Sequence, residues 1–274
     1  MPLTALALTL AAAAVHASWN LLLSGHRDVR SATAVAVAFS VVAFAPVAAL
    51  TWRVHAAAAP FMAASSGLEA LYLVLLAAGY AVSAMSFVYP VARGSAPVFV
   101  LAVSALALGA HVAVLSAAGV LVVAVGIVLV RESSLAARPR DLMLAIAVGG
   151  CISAYTLVDK HGITHANPLA YLEVVFSLTA LASVAIAWRL RGASALRAAV
   201  GPASLLAGIG FFGSYALVLA ALRLAPAATV AAVRESSVVM ATAVLAISGR
   251  ERIGPRRLLG ALVVVAGIAL ISLG

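Results

Sequence analysis

Two arginines and a glutamate stand inside long apolar stretches: Arg93, Arg234 and Glu235. Each arginine lies about eight residues into its run, roughly 12 Å along a helix at about 1.5 Å per residue. A charge that deep in an apolar helix persists only against a partner or a polar cavity. Two arginines against one glutamate favour a cavity that binds a carboxylate or a phosphate. The competing reading is an internal ion pair, Arg93 or Arg234 with Glu235. The sequence leaves both open.

Other polar groups recur at helical spacing. Tyr89 and Pro90 precede Arg93 by four and three residues. The proline removes a backbone hydrogen bond and predicts a kink, whose freed carbonyls suit a substrate surface. His16 and Asn20 are four apart and share a helix face, with Trp19 beside them. Tyr155 and Asp159 repeat that spacing, Tyr171 and Glu173 follow in the next run, and Tyr215 lies in the one after. Each either meets substrate or bonds to a neighbouring helix. Hydrolytic, metal and phosphate-loop signatures are missing, so catalytic residues are expected to be none, and cofactors none. His161 and His165 are four apart without further ligands near them, which makes a metal site there improbable.

These side chains must be carried by elements of an unusual kind. Of 274 residues, 65% are hydrophobic and only 9% charged, against roughly 45–50% and 25% in soluble domains. That excludes a soluble enzyme, a disordered regulator and a disulfide scaffold. The basic excess reads as loop arginines at a membrane surface, with no nucleic-acid partner. The single cysteine, Cys151, reads as a small packing residue. The start of the chain has no basic segment before its apolar run, so it reads as a retained span.

A crossing helix needs about 20 apolar residues. Ten candidates follow: Leu3–Leu23, Ser31–Trp52, Gly67–Ala81, Ser86–Gly109, Val112–Val130, Leu142–Val158, Pro168–Trp188, Ala203–Leu222, Ala227–Ser248 and Leu258–Leu273. Residues 94–130 carry no Asp, Glu, Lys or Arg, and as one helix would overreach a core of about 30 Å. The chain must turn there, most naturally at Gly109-Ala110-His111.

The chain also matches itself. An offset of 141 aligns Gly67 with Gly208, Arg93 with Arg234, Gly119 with Gly260 and Gly126 with Gly267. Trp52-Arg53 aligns with Trp188-Arg189 at a slightly smaller offset. Five spans per repeat force the second to enter from the opposite side. The expected fold is an all-α polytopic membrane protein of ten transmembrane helices. They form two inverted five-helix repeats, residues 1–138 and 139–274, in one integrated transmembrane domain. The seven-residue glycine spacing predicts helix packing contacts.

At these residues the chain resembles the EamA family of the drug/metabolite transporter superfamily. The stretches are His16-Ala17-Ser18-Trp19-Asn20, Ser86 to Gly94 around Tyr89-Pro90, Tyr155 to Lys160, and Arg234-Glu235-Ser236-Ser237. Gly249 to Arg252 with Gly260 and Gly267 resembles the close of a family repeat. The resemblance implies ten helices around a central substrate cavity and outward movement of small metabolites, amino acids or drugs. A glutamate usual after the fourth helix is Ala110 here, whereas Glu251 keeps it in the second repeat.

The function expected is a secondary transporter of a small polar metabolite, an amino acid or organic anion, exporter-like and alternating access around a central cavity. Candidate substrate-binding residues are Arg93, Arg234, Glu235, Tyr89, Trp19, Asn20, His16, Tyr155 and Tyr215, with metal none. Rival readings are a lipid-handling protein or flippase, and a membrane subunit without transport of its own. Partners are a small molecule and the lipid bilayer, and a monomer or a homodimer both fit. The expected location is the plasma (inner) membrane. One set of loops holds Arg27, Arg30, Arg131, Arg138, Arg140, Arg189, Arg191, Arg197, Arg250, Arg252, Arg256 and Arg257, the other only Arg53, Lys160 and Arg223. That imbalance predicts both termini outside, whereas the family resemblance implies cytoplasmic termini.

Overall fold

The computed structural model describes residues 1–82, 85–130, 138–247 and 254–274. Among them, eight helices are long and apolar enough to cross a membrane, accompanied by two shorter apolar stretches, Pro90–Leu106 and Val114–Val130. Among the described residues the fold is all-helical, and the protein is a multi-pass membrane protein. Its outward surface carries large apolar side chains such as Leu181, Val125 and Leu262, the face a lipid-embedded bundle presents.

In chain order the helices are α1 (Leu3–Ser24), α2 (Val29–Leu50), α3 (Ala59–Val82), α4 (Met85–Leu106), α5 (Val114–Val130) and α6 (Pro139–Gly162). There follow α7 (Pro168–Ala198), α8 (Pro202–Leu224), α9 (Ala227–Arg234), α10 (Ser236–Ile247) and α11 (Pro255–Leu273). Helix starts follow local chemistry. Asp28 accepts from Ser31 N and Ser31 Oγ at the start of α2, and Asn167 Oδ1 accepts from Leu169 N at α7. Prolines open α6, α7, α8 and α11, where a missing N–H goes unnoticed.

Two sequence expectations are corrected. The third span begins at Ala59 rather than Gly67, because Ala56–Ala58 forms a turn of 3-10 helix that runs directly into it. The seventh extends to Ala198, bending at Gly192, whose φ of +81° lies outside the helical region. The ninth stays one apolar span over Ala227–Val244, with its ladder interrupted at Glu235 between α9 and α10. There Glu235 N bonds to Ala232 O and Val238 N to Glu235 O, tight three-residue turns in place of the regular ladder. In contrast, α4 runs on as one helix through Pro90 and Pro97. The expected turn between the fourth and fifth spans is present, with Gly109 at φ +61°.

Glycines set the closest helix approaches. A Cβ on Gly119 would lie 2.7 Å from Gly267 O, and one on Gly126 would lie 2.9 Å from Gly260 O. Residue number rises along α5 as it falls along α11, so the two helices run antiparallel with backbones in contact. Gly67, aligned with Gly208 by the offset, meets nothing within 4 Å, whereas Gly208 presses on Ala36 O. That alignment carries no shared packing role.

The connections gather at two ends. At one, Met1 N lies 3.5 Å from Ile271 O, and residues 51–55 meet residues 165–167 through His55 N to His165 O and Asn167 N to Arg53 O. At the other, Arg191 lies 3.9 Å from Asp28 and His26 meets Ser204 at 3.4 Å.

Candidate functional site

The three charges singled out by the sequence come together. Arg93 Nη1 donates to Glu235 Oε1 at 3.1 Å and Oε2 at 3.4 Å, and Arg234 Nη2 is 3.8 Å from Glu235 Oε1. All three are buried. Arg93 Nη2 is 2.6 Å from His16 Nε2. A guanidinium only donates, so this His16 nitrogen accepts and the ring proton sits on Nδ1. The ion-pair arrangement is therefore present, and it joins α4 from the first half to the α9–α10 break in the second.

The break explains the position of Glu235. As the residue closing α9, it projects its carboxylate between two guanidiniums while its own backbone leaves the regular helix. Beyond it, Ser236 Oγ and Ser237 Oγ are buried without a hydrogen-bond partner, and so is Arg234 Nε. Buried polar atoms are nearly always paired. Three orphans at one helix break are unusual.

A second constellation adjoins the first. Asp159, fully buried, accepts from Tyr171 OH at 2.8 Å through one oxygen and from Tyr215 OH through the other. Gly162 makes this possible: a Cβ there would fall 2.4 Å from the Tyr171 ring, so only glycine lets that ring lie against α6. Tyr155 packs edge-on to Tyr72 and Tyr215, with centroids 6.3 and 6.1 Å away. Glu69 Oε2 is 2.8 Å from Thr179 Oγ1. Arg234 interacts electrostatically with Tyr155 and Tyr215, and Glu69 with Asp159 and Arg234. Both constellations form one neighbourhood.

Sequence reasoning missed Glu69 and Thr179. Glu69, Asp159 and Glu235 set three buried carboxyl groups of this neighbourhood against its two buried arginines. The expected positive excess of two arginines over one glutamate is thereby corrected, and charge alone no longer selects an anion.

The remaining candidates divide. Trp19 Nε1 donates to Ser214 Oγ at 3.3 Å, and its ring meets His16 and Phe211 edge-on. Asn20 Nδ2 bonds back to His16 O within α1. The Tyr89 side chain, Arg131, Arg250, Glu251 and Arg252 lie outside the described residues. His161 and His165 stack on Phe61, and among the described residues no group of three His, Cys, Asp or Glu is placed to hold a metal. Cys151 is buried, a small packing residue.

Residues 140–273 match the model of the EamA-like transporter family. A solved structure, described only as the crystal structure of a protein, superposes with a TM-score of 0.74 at 17% identity, over 98% of each chain. That likeness shows a shared fold. No curated protein matches the chain in sequence.

Proposed function

We propose that this chain, EamA-like over residues 140–273, is a secondary transporter of a small polar metabolite. It would work by alternating access, exporter-like, from the inner membrane. The observation that carries the reading is the trio of orphaned polar atoms, Arg234 Nε, Ser236 Oγ and Ser237 Oγ, beside a broken helix. Broken helices at the centre of transporters supply polar groups to substrate in this way.

Inverted five-helix repeats are supported by reciprocity. Gly119 meets Gly267 while Gly126 meets Gly260, the exchange expected of a two-fold axis relating Gly119 to Gly260 and Gly126 to Gly267. Helix α1 packs on α8 as α6 packs on α3. Within that frame the Arg93–Glu235 pair bridges the two repeats. Separating the repeats breaks it and turns a guanidinium and a carboxylate toward solvent. A solute with both an ammonium and a carboxylate satisfies both, so amino acids are the first class to test, with organic anions next.

The deciding experiment reconstitutes the full chain in liposomes. Counterflow of labelled amino acids and organic anions is measured beside fluorescent-lipid translocation. Saturable solute flux that Arg234→Gln abolishes supports the reading. Lipid translocation without solute flux indicates a flippase, and absence of both overturns transport.

A further inference from the structure

We propose that Glu69 carries a proton in this conformation and that H⁺ is the ion coupled to transport, released and regained by Glu69 once per cycle. The coupling half rests on the transport reading above; the proton on Glu69 does not.

The hydrogen bonds at Thr179 carry the argument. Its Oγ1 lies 2.8 Å from Glu69 Oε2 and 2.9 Å from Val175 O. A hydroxyl has one hydrogen, and a carbonyl oxygen can only accept. If Thr179 donates to Val175 O, the usual backbone contact of a helical threonine, the short contact to Glu69 is a bond only when Glu69 donates. A protonated Glu69 completes the chain Glu69 O–H to Thr179 O–H to Val175 O. An ionised one makes two acceptors compete for a single hydrogen.

Charge balance selects the same residue. Glu235 lies 3.1 Å from Arg93 and 3.8 Å from Arg234, so two guanidiniums face it. Asp159 receives a phenol hydrogen on each oxygen. Glu69, 6% exposed, has one hydroxyl. It is faced by Asp159 and Tyr155 from α6, by Tyr171 and Thr179 from α7, and by Tyr215 and Arg234 from α8 and α9. With Arg93, the buried set comprises two cations and three carboxyls, and a proton on Glu69 brings it to zero. Ser65, four residues before Glu69 and so on the same face, is fully buried. Its side chain interacts with Asp159 and Tyr171. It extends a polar track from Glu69 toward Asp159. When the bundle opens, the Glu69 O–H bond breaks, its proton passes to water on the open side, and the carboxylate is reprotonated from the other side after the switch.

Infrared difference spectroscopy on the full chain in lipid vesicles reads the proton directly. An alkaline jump should remove a protonated-carboxyl C=O band that shifts in D₂O. Glu69→Gln should lack this band, and Asp159→Asn should keep it. Glu69→Asp should show it at a displaced frequency, which covers failure of the glutamine variant to fold. A band that persists in Glu69→Gln, or none in the wild type, overturns the assignment. For coupling, vesicles loaded with a pH-sensitive dye receive a mixture of the proteinogenic amino acids. Flux with a lumenal pH change, lost in Glu69→Gln and kept in Glu69→Asp, supports H⁺ coupling. Flux without any pH change overturns it. If the wild type moves no amino acid, the transport reading fails for that class, and the infrared band still decides whether Glu69 holds the proton.

Discussion

Lys160 and Arg223 each bind the chain at the end of the helix that carries the other. Lys160 Nζ, near the end of α6, donates to Leu222 O and Ala225 O at the end of α8, at 2.8 and 2.9 Å. Arg223, near the end of α8, donates through Nη2 to Ile163 O and Ala166 O just past α6, at 2.9 and 2.8 Å. Helix C-termini present unpaired carbonyls and partial negative charge, which cations satisfy. Replacing either cation by methionine strips two carbonyls of their donors, at about 1–3 kcal/mol. The double variant should lose less than the sum, because one surviving clasp holds the same two ends less well once the other is gone. Thermal unfolding of the four proteins in one detergent checks this, and strict additivity refutes it.

The Arg93–Glu235 pair makes a different prediction. Arg93→Gln leaves a buried carboxylate served only by Arg234 at 3.8 Å, a loss approaching the ~3–5 kcal/mol of a broken buried pair. Adding Glu235→Gln removes the stranded charge and should restore most of the stability. Solute flux should stay impaired in the double variant, since the restored protein no longer has the groups that separate when the repeats part. Melting curves and flux on the same preparations test both statements.

Glycine substitutions should split by position. A Cβ on Gly126 falls 2.7 Å from Val264 N, a backbone atom that cannot rotate away, so Gly126→Val should cost about 1–3 kcal/mol as overpacking does. Gly67→Ala adds a methyl where nothing lies within 4 Å, and should stabilise α3 by about 0.5–1 kcal/mol. The retained monodisperse fraction after heating reads both signs.

Orientation is decided by a reporter fused after Gly274. Lys160 and Arg223, two of the three cations on the lightly charged side, are tied to carbonyls, whereas the arginine-rich loops include the half-exposed Arg191. Positive-inside logic puts that richer side in the cytoplasm and the C-terminus outside. A phosphatase reporter should be active and a fluorescent protein dark. The reverse result refutes the assignment.

How much of this was legible in the sequence depended on contrast. Arg93, Arg234 and Glu235 stood out because charges inside apolar runs are expensive, and the structure joins them. Glu69 escaped for a reason of boundaries: a third span started at Gly67 leaves it two residues from the span's end, yet α3 begins at Ala59, which moves Glu69 near the middle of the helix. Thr179 was invisible because a threonine that bonds its own helix backbone leaves no trace in hydropathy. The interruption at Glu235 has no proline to announce it, whereas α4 stays one helix through Pro90 and Pro97. The paired glycines of α5 and α11 were legible from spacing alone, because only close backbone approach demands them.

That glycine seam has a thermal consequence. Holding a leucine or isoleucine side chain in one rotamer costs about 0.5–1 kcal/mol of entropy, and glycine has none to lose. Where Gly119 and Gly126 meet Gly267 and Gly260, α5 and α11 touch without freezing a rotamer at any of the four positions. Warming loosens contacts that depend on ordered side chains before it loosens this one. Amide hydrogens along α5 and α11 beside these glycines should be among the last in the bundle to exchange.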